Sequence, residues 1–179
     1  MKTITIWQPW ASLIAIGAKH YETRSWATNY RGPIAIHAAA LNPFKAIKLI
    51  QNDTVMEMRR VLKDRGILTP STDFRMLPLG CIIATAKLVN CWHIVCNPGV
   101  DIDVAKHIPI GAESITIDKH APDFADYFIP TEQEQLFGDW TPGRYAWQLE
   151  DVVMLKKPIP VKGQQRLWNF DDRLLKGAF

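Results

Sequence analysis

The chain has 179 residues, 47% of them hydrophobic and 22% charged, with a formal net charge of +3. That length suits one full domain and is short for two; the composition argues against disorder, and no apolar run approaches the roughly 20 residues of a membrane span. Three cysteines, Cys81, Cys91 and Cys96, are too few and too odd in number for a secreted disulfide framework. With no leader-like start, reduced thiols and a cytoplasmic location are expected.

In chain order, "KTITIW" alternates polar and apolar residues with β-branched enrichment and predicts a strand. Pro9 suits a helix start, "WASLIAI" continues it, and Gly17 is a natural stop because glycine accepts a left-handed backbone. Lys19 therefore falls just past a helix end. "YETRSW" reads as extended or turn-like, and "GPIAIHAA" as a second strand after the Arg31-Gly32-Pro33 turn. Asn42-Pro43 opens the most strongly periodic helix, which runs towards Gly66 with a possible break at Asn52-Asp53. "LGCIIATAKLVNCWHIV" predicts a long strand or bent pair, 97–142 is weakly patterned, "RYAWQLEDVVMLKKPIPV" gives one or two strands, and "LWNFDDRLL" ends in a short helix. Strands that do not alternate regularly with helices favour an α+β fold, a small β-barrel with flanking helices, over a βαβ fold.

Charge is distributed unevenly. Residues 99–140 carry two Lys/Arg against nine acids, whereas 1–40 carry four against one and 141–179 seven against four. The acidic stretch reads as a peripheral excursion, and the basic flanks as the part that meets an anion.

The candidate site lies between Trp10 and Arg31. A lysine such as Lys19 that is partly desolvated can act as base or nucleophile, while an exposed one only pairs with phosphate. Glu22 is the lone acid of the first fifty residues; it either pairs with Arg24 along a strand or orients Lys19. Arg24 and Arg31 offer forked contacts to phosphate, Ser25 a hydroxyl contact, and Trp10 and Trp26 surfaces for base stacking. Trp7 and His37 are assigned to the core, and Trp147 and Trp168 to the core or a cleft floor. Cys91-Trp92-His93 with Cys96 supplies three donors where structural zinc needs four, so no metal is assigned. Phosphate-loop, dinucleotide, zinc-protease and serine-hydrolase signatures are absent, and no cofactor is implied.

The stretch "QPWASLI..G.K..E.RSW.T..RG...IHA" resembles the signature of the activating-signal-cointegrator-homology (ASCH) family, a branch of the PUA-like superfamily. "PLGCIIATAKLVNC" and "GRYAWQLEDVVMLKKPIPVKGQQRLW" are similar to its second and third blocks. The likeness covers about 1–40, 78–96 and 143–170. It leaves 41–75 as a helical insertion and 99–140 as an acidic one, within a single domain over 1–179. The resemblance implies a PUA-like barrel whose open cleft faces nucleic acid or a nucleoside. One branch of relatives deacylates acetylcytidine and another cleaves RNA. Lys19 matches the deacylase lysine, but that branch has threonine where this chain has Glu22, and its more distant acid finds no matching position. Cointegrator-type members share the Lys, Glu, Arg, Ser and Trp.

Three functions follow in rank. The first is a nucleic-acid-binding module, RNA before DNA, using Lys19, Arg24, Ser25, Trp26, Arg31 and Trp10. The second is a hydrolase in the same cleft, an acetylcytidine amidohydrolase or a ribonuclease, with Lys19 and Glu22 catalytic. The third is an adaptor that docks a protein partner through 99–140. No membrane role is expected.

Overall fold

A computed structural model describes residues 1–48, 50–96, 114–117 and 127–179, with backbone alone at 95–96, 114–117 and 127–128. The elements are β1 (Lys2–Ile6), α1 (Trp10–Ala15), β2 (Tyr21–Arg24), β3 (Gly32–Ala38), α2 (Pro43–Ile47), α3 (Asn52–Asp64), β4 (Cys81–Cys96), β5 (Ser114–Ile117), β6 (Tyr127–Phe128), α4 (Glu132–Phe137), β7 (Tyr145–Pro160) and β8 (Leu167–Asn169). Short 3-10 turns cover Phe74–Met76 and Asp172–Leu175. The sheet path is β2-β7-β4-β3-β1-β8, with β5 on β4 and β6 on β5, so the α+β expectation holds. The chain divides into two compact units. The first comprises Met1–Lys19, Gly32–Lys87 and Glu150–Phe179; the second comprises His20–Arg31 and Leu88–Leu149.

In the first unit, β1 pairs parallel with β3, from Lys2 opposite Ile34 to Ile6 opposite Ala38, and antiparallel with β8. Five successive residues of β3, Ile34 to Ala38, are buried, as an interior strand covered on both faces requires. Ala35, Ile82, Leu155, Trp168, Phe170, Leu175 and Ala178 form one apolar cluster beneath it. Asn42 caps α2 by accepting from the Phe44 amide, with Pro43 in its first turn. The predicted break is real, because α3 begins anew at Asn52 and packs through Thr54, Met58, Val61 and Leu62. Gly66, at φ 71°, follows its end.

Helix α1 ends in a Schellman closure: the Gly17 amide donates to the Ile14 carbonyl (2.8 Å) and the Ala18 amide to that of Leu13 (2.9 Å). Gly17 supplies the positive φ, 69°, that the closure demands. The Lys19 amide also donates to the Leu13 carbonyl, at 3.1 Å. A local glycine thus fixes where the chain delivers its lysine.

In the second unit, β2 pairs antiparallel with the start of β7, Tyr21 opposite Gln148 and Arg24 opposite Tyr145. β5 pairs antiparallel with the end of β4. Ile94, Trp140 and Ala146 form its apolar cluster, with Tyr21 and Trp92 packed against it. Of the acidic segment, 99–113 and 118–126 lie outside the described residues. The described stretch 127–140 contributes buried Phe137 and Trp140.

Candidate nucleic-acid interface

Strand pairing places Glu22 directly opposite Trp147, and Arg24 directly opposite Tyr145. Residues two apart on a strand share a face, so these four side chains lie on one side of the β2–β7 ribbon. Arg24 Nε sits 2.9 Å from Glu22 Oε1. The intrastrand pair anticipated for Glu22 and Arg24 is therefore formed, with Glu22 buried and Arg24 half-buried. Trp147, fully buried, donates its indole N–H to the Trp26 carbonyl (3.3 Å), and the Trp26 ring stands edge-on to it, centroids 4.6 Å apart at 86°. Trp26 is half-buried, beyond the end of β2, and its backbone and ring are both fixed by Trp147. His93 stacks on Tyr145 at 5.0 Å and 25°, which adds a flat pair beside Arg24.

Ser25 is exposed in the bend after β2, and Arg31 is exposed immediately before β3. Arg31 is nevertheless ordered: Nη1 donates to the carbonyls of Thr28 and Tyr30, both at 2.9 Å, and Nη2 to Asn90 Oδ1 at 3.3 Å. A guanidinium carries five N–H donors, so among the described residues two remain for an incoming acceptor.

Lys19 and Trp10 belong to the first unit. Lys19 is 1% exposed, a desolvated setting rather than that of a solvated surface lysine, and Trp10 is half-buried. The assignment of Trp7 to the core is corrected: it is 54% exposed. Strand alternation ends at Ile6, and the interior slot goes to Gln8, whose amide accepts from the Ser12 backbone (3.0 Å) and donates to the Pro78 carbonyl (3.0 Å). A buried side chain that satisfies two backbone groups displaces the indole to the outside. His37 and Trp168 are buried as expected, with their rings edge-on at 5.7 Å.

Pattern reading missed Asn90, Tyr145 and Glu134, and weighed His93 only as a metal donor. Glu134, 4% exposed at the first turn of α4, accepts from the backbone amides of His20 (2.5 Å) and Tyr21 (3.4 Å) and lies 3.1 Å from His20 Nδ1. It anchors the start of β2. The only sequence signal for it is Thr131, a capping residue that accepts from the Glu134 amide. Cys91 is buried, the Cys96 side chain lies outside the described residues, and no cluster of metal donors occurs among the described residues.

The profile of the ASCH domain matches residues 4–154. The chain belongs to the ASCH family. It is 23% identical to activating signal cointegrator 1 of Homo sapiens over 178 residues and 22% identical to its Mus musculus counterpart. Those matches cover 98% of this chain and 23% of each relative, so this ASCH chain spans about a quarter of their length. Among solved structures it is similar to a mutant ZmASCH protein from Zymomonas mobilis, at 14% identity and TM-score 0.46, over 99% of this chain and 98% of that one. ASCH domains are commonly RNA-binding, and membership supports a nucleic-acid-binding module as the general functional class. No helix among the described residues is long and apolar enough to cross a membrane.

Proposed function

We propose that this ASCH domain binds single-stranded RNA through the tract from Arg24 to Arg31. The observation that carries the reading is the Arg31 guanidinium, exposed yet held by three hydrogen bonds with two N–H groups left over. A fork immobilised in advance loses little side-chain entropy on meeting a phosphate or base edge. Arg24, oriented by Glu22, and the Ser25 hydroxyl supply further backbone contacts. The half-buried Trp26 ring and the His93–Tyr145 stack offer flat surfaces for bases, worth roughly 1–3 kcal/mol each in stacking. A tract with two arginines implies few phosphate contacts, hence a short footprint and a shallow salt dependence. The test is fluorescence anisotropy with a short labelled RNA at several salt concentrations. Affinity that falls with salt and is weakened by Arg31→Ala supports the reading; binding indifferent to both overturns it.

A second reading, hydrolysis of a modified nucleoside or of RNA, is favoured by the burial of Lys19. A lysine withdrawn from water suits a base or nucleophile better than a phosphate contact. Incubation with acetylcytidine and with single-stranded RNA, comparing Lys19→Ala, decides it: turnover by the parent chain alone supports hydrolysis, and equal background from both removes it.

A further inference from the structure

The end of β7 and its connection to β8 form a second cationic tract that lies wholly in the first unit. From Val152 to Phe170 the chain carries Lys156, Lys157, Lys162 and Arg166 and no carboxylate. All four are exposed, and none has an ion-pair partner among the described residues. Arg166 holds φ 58°, a left-handed backbone that a long side chain rarely adopts, so this turn is specified rather than relaxed.

The connection is tied down at both ends. The Val161 amide donates to the Gly80 carbonyl (3.0 Å), and Thr5 Oγ1 donates to the Gln164 carbonyl (2.9 Å). Behind it opens a cleft of about 740 Å³ lined by Thr5, His37, Ala39, Ala40, Gly80 and residues 160–165. Among the described residues the lining offers small apolar surface, a hydroxyl, the amides of Gln164 and Gln165, and one ammonium, Lys162, with no acid. Its size is that of a pocket for a small organic ligand, several times what a bare phosphate fills.

His37 gives the cleft its polarity. Its Nε2 lies 3.0 Å from the Val161 carbonyl, which only accepts, so Nε2 carries the proton and Nδ1 is a bare acceptor. That Nδ1 is buried with no hydrogen-bond partner among the described residues. Gly163 lies against it: a Cβ there would collide with His37 Cε1 and stand 2.8 Å from Nδ1. An acceptor sealed from water without a donor is costly, and a ligand N–H admitted as the 163 backbone shifts would satisfy it.

We propose that this cleft is a nucleotide site distinct from the Arg24–Arg31 tract. The phosphate pairs with Lys162, the base lies on Ala39 and Ala40 within reach of the Gln164 and Gln165 amides, and a base N–H reaches His37 Nδ1. The nucleotide comes either free or as the end of an RNA strand, and the experiment separates the two. Amide chemical shifts of the full chain are followed on titration with uridine and adenosine 5′-monophosphates, inorganic phosphate, and a short 5′-phosphorylated oligoribonucleotide. The expected result is saturable shifts at Ala39, Ala40, Gly80 and Gly163 to Gln165, weakened about tenfold by Lys162→Gln, as loss of one charged contact implies. Gln165→Ala serves as a second exposed variant and weakens the mononucleotides but not phosphate. Shifts with the oligoribonucleotide alone support the site and assign its ligand to RNA ends; shifts with mononucleotides support it for free nucleotide. Inorganic phosphate acting as strongly as a mononucleotide, or no shift at these amides with any probe, overturns the proposal. Arg31→Ala in the same titration keeps this outcome apart from that of the first reading.

Discussion

The tract from Arg24 to Arg31 and the connection from Val161 to Arg166 are both short, basic and placed after a strand, yet they hold their cations in opposite ways. In the first, each guanidinium is engaged: Arg24 by Glu22, and Arg31 by two carbonyls and Asn90. In the second, Lys162 and Arg166 are exposed with no ion-pair partner among the described residues, while the backbone and His37 beneath them are fixed. An engaged cation has already lost its rotamer entropy and presents a defined fork, which favours geometric discrimination. A free lysine contributes charge to whatever the cavity behind it selects by shape. The contrast is between recognition built into side chains and recognition built into a backbone-lined hollow.

The strongest way to break the contrast is to remove the floor of the first tract. Trp147→Ala empties a fully buried site beneath Trp26 and is expected to cost about 3–5 kcal/mol of stability by denaturant unfolding. A loss below about 1 kcal/mol would mean that Trp26 is not held by Trp147. Next, Gly163→Ala tests the close approach over His37. Its Cβ meets a buried imidazole rather than the tip of a flexible chain, so a loss of about 1–3 kcal/mol is expected in thermal melting. An unchanged melting point would place the loop away from His37.

Arg31→Ala is expected to weaken RNA binding about tenfold, near 1.4 kcal/mol, without a comparable loss of stability. Arg31→Lys should not restore it, since an ammonium cannot reproduce the three-point hold of the fork. Full affinity in the lysine variant would reduce Arg31 to a simple charge.

The smallest effect is a pH dependence. Burial pushes the His37 imidazole below its ordinary value of 6.5, against a smaller opposing pull from the Val161 carbonyl. The unfolded chain then binds the proton more readily than the folded one, so this contribution is complete above about pH 6.5 and declines as pH falls below it. Melting at pH values about one unit above and one unit below that point should give a steeper acid loss for the parent chain than for His37→Gln. Parallel slopes would remove His37 as the source.

Much of the local architecture was legible in the residues. Gly17 ends α1 where a left-handed residue was required, Asn42 caps α2, the helix breaks at Asn52, and Glu22 pairs with Arg24 two positions along a strand. Each depends on hydrogen bonds and side-chain spacing within a few residues, which composition and periodicity encode directly. Which indole is covered, which arginine is held and which acid anchors β2 depended on partners far along the chain. Trp7 is outside because Gln8 reaches Pro78, seventy residues on. Arg31 is ordered by Asn90, and His20 meets Glu134 across more than a hundred residues. Local spacing carries no record of such encounters. They are set when strands choose their registers and buried polar groups must find whatever partners the packed chain brings within reach.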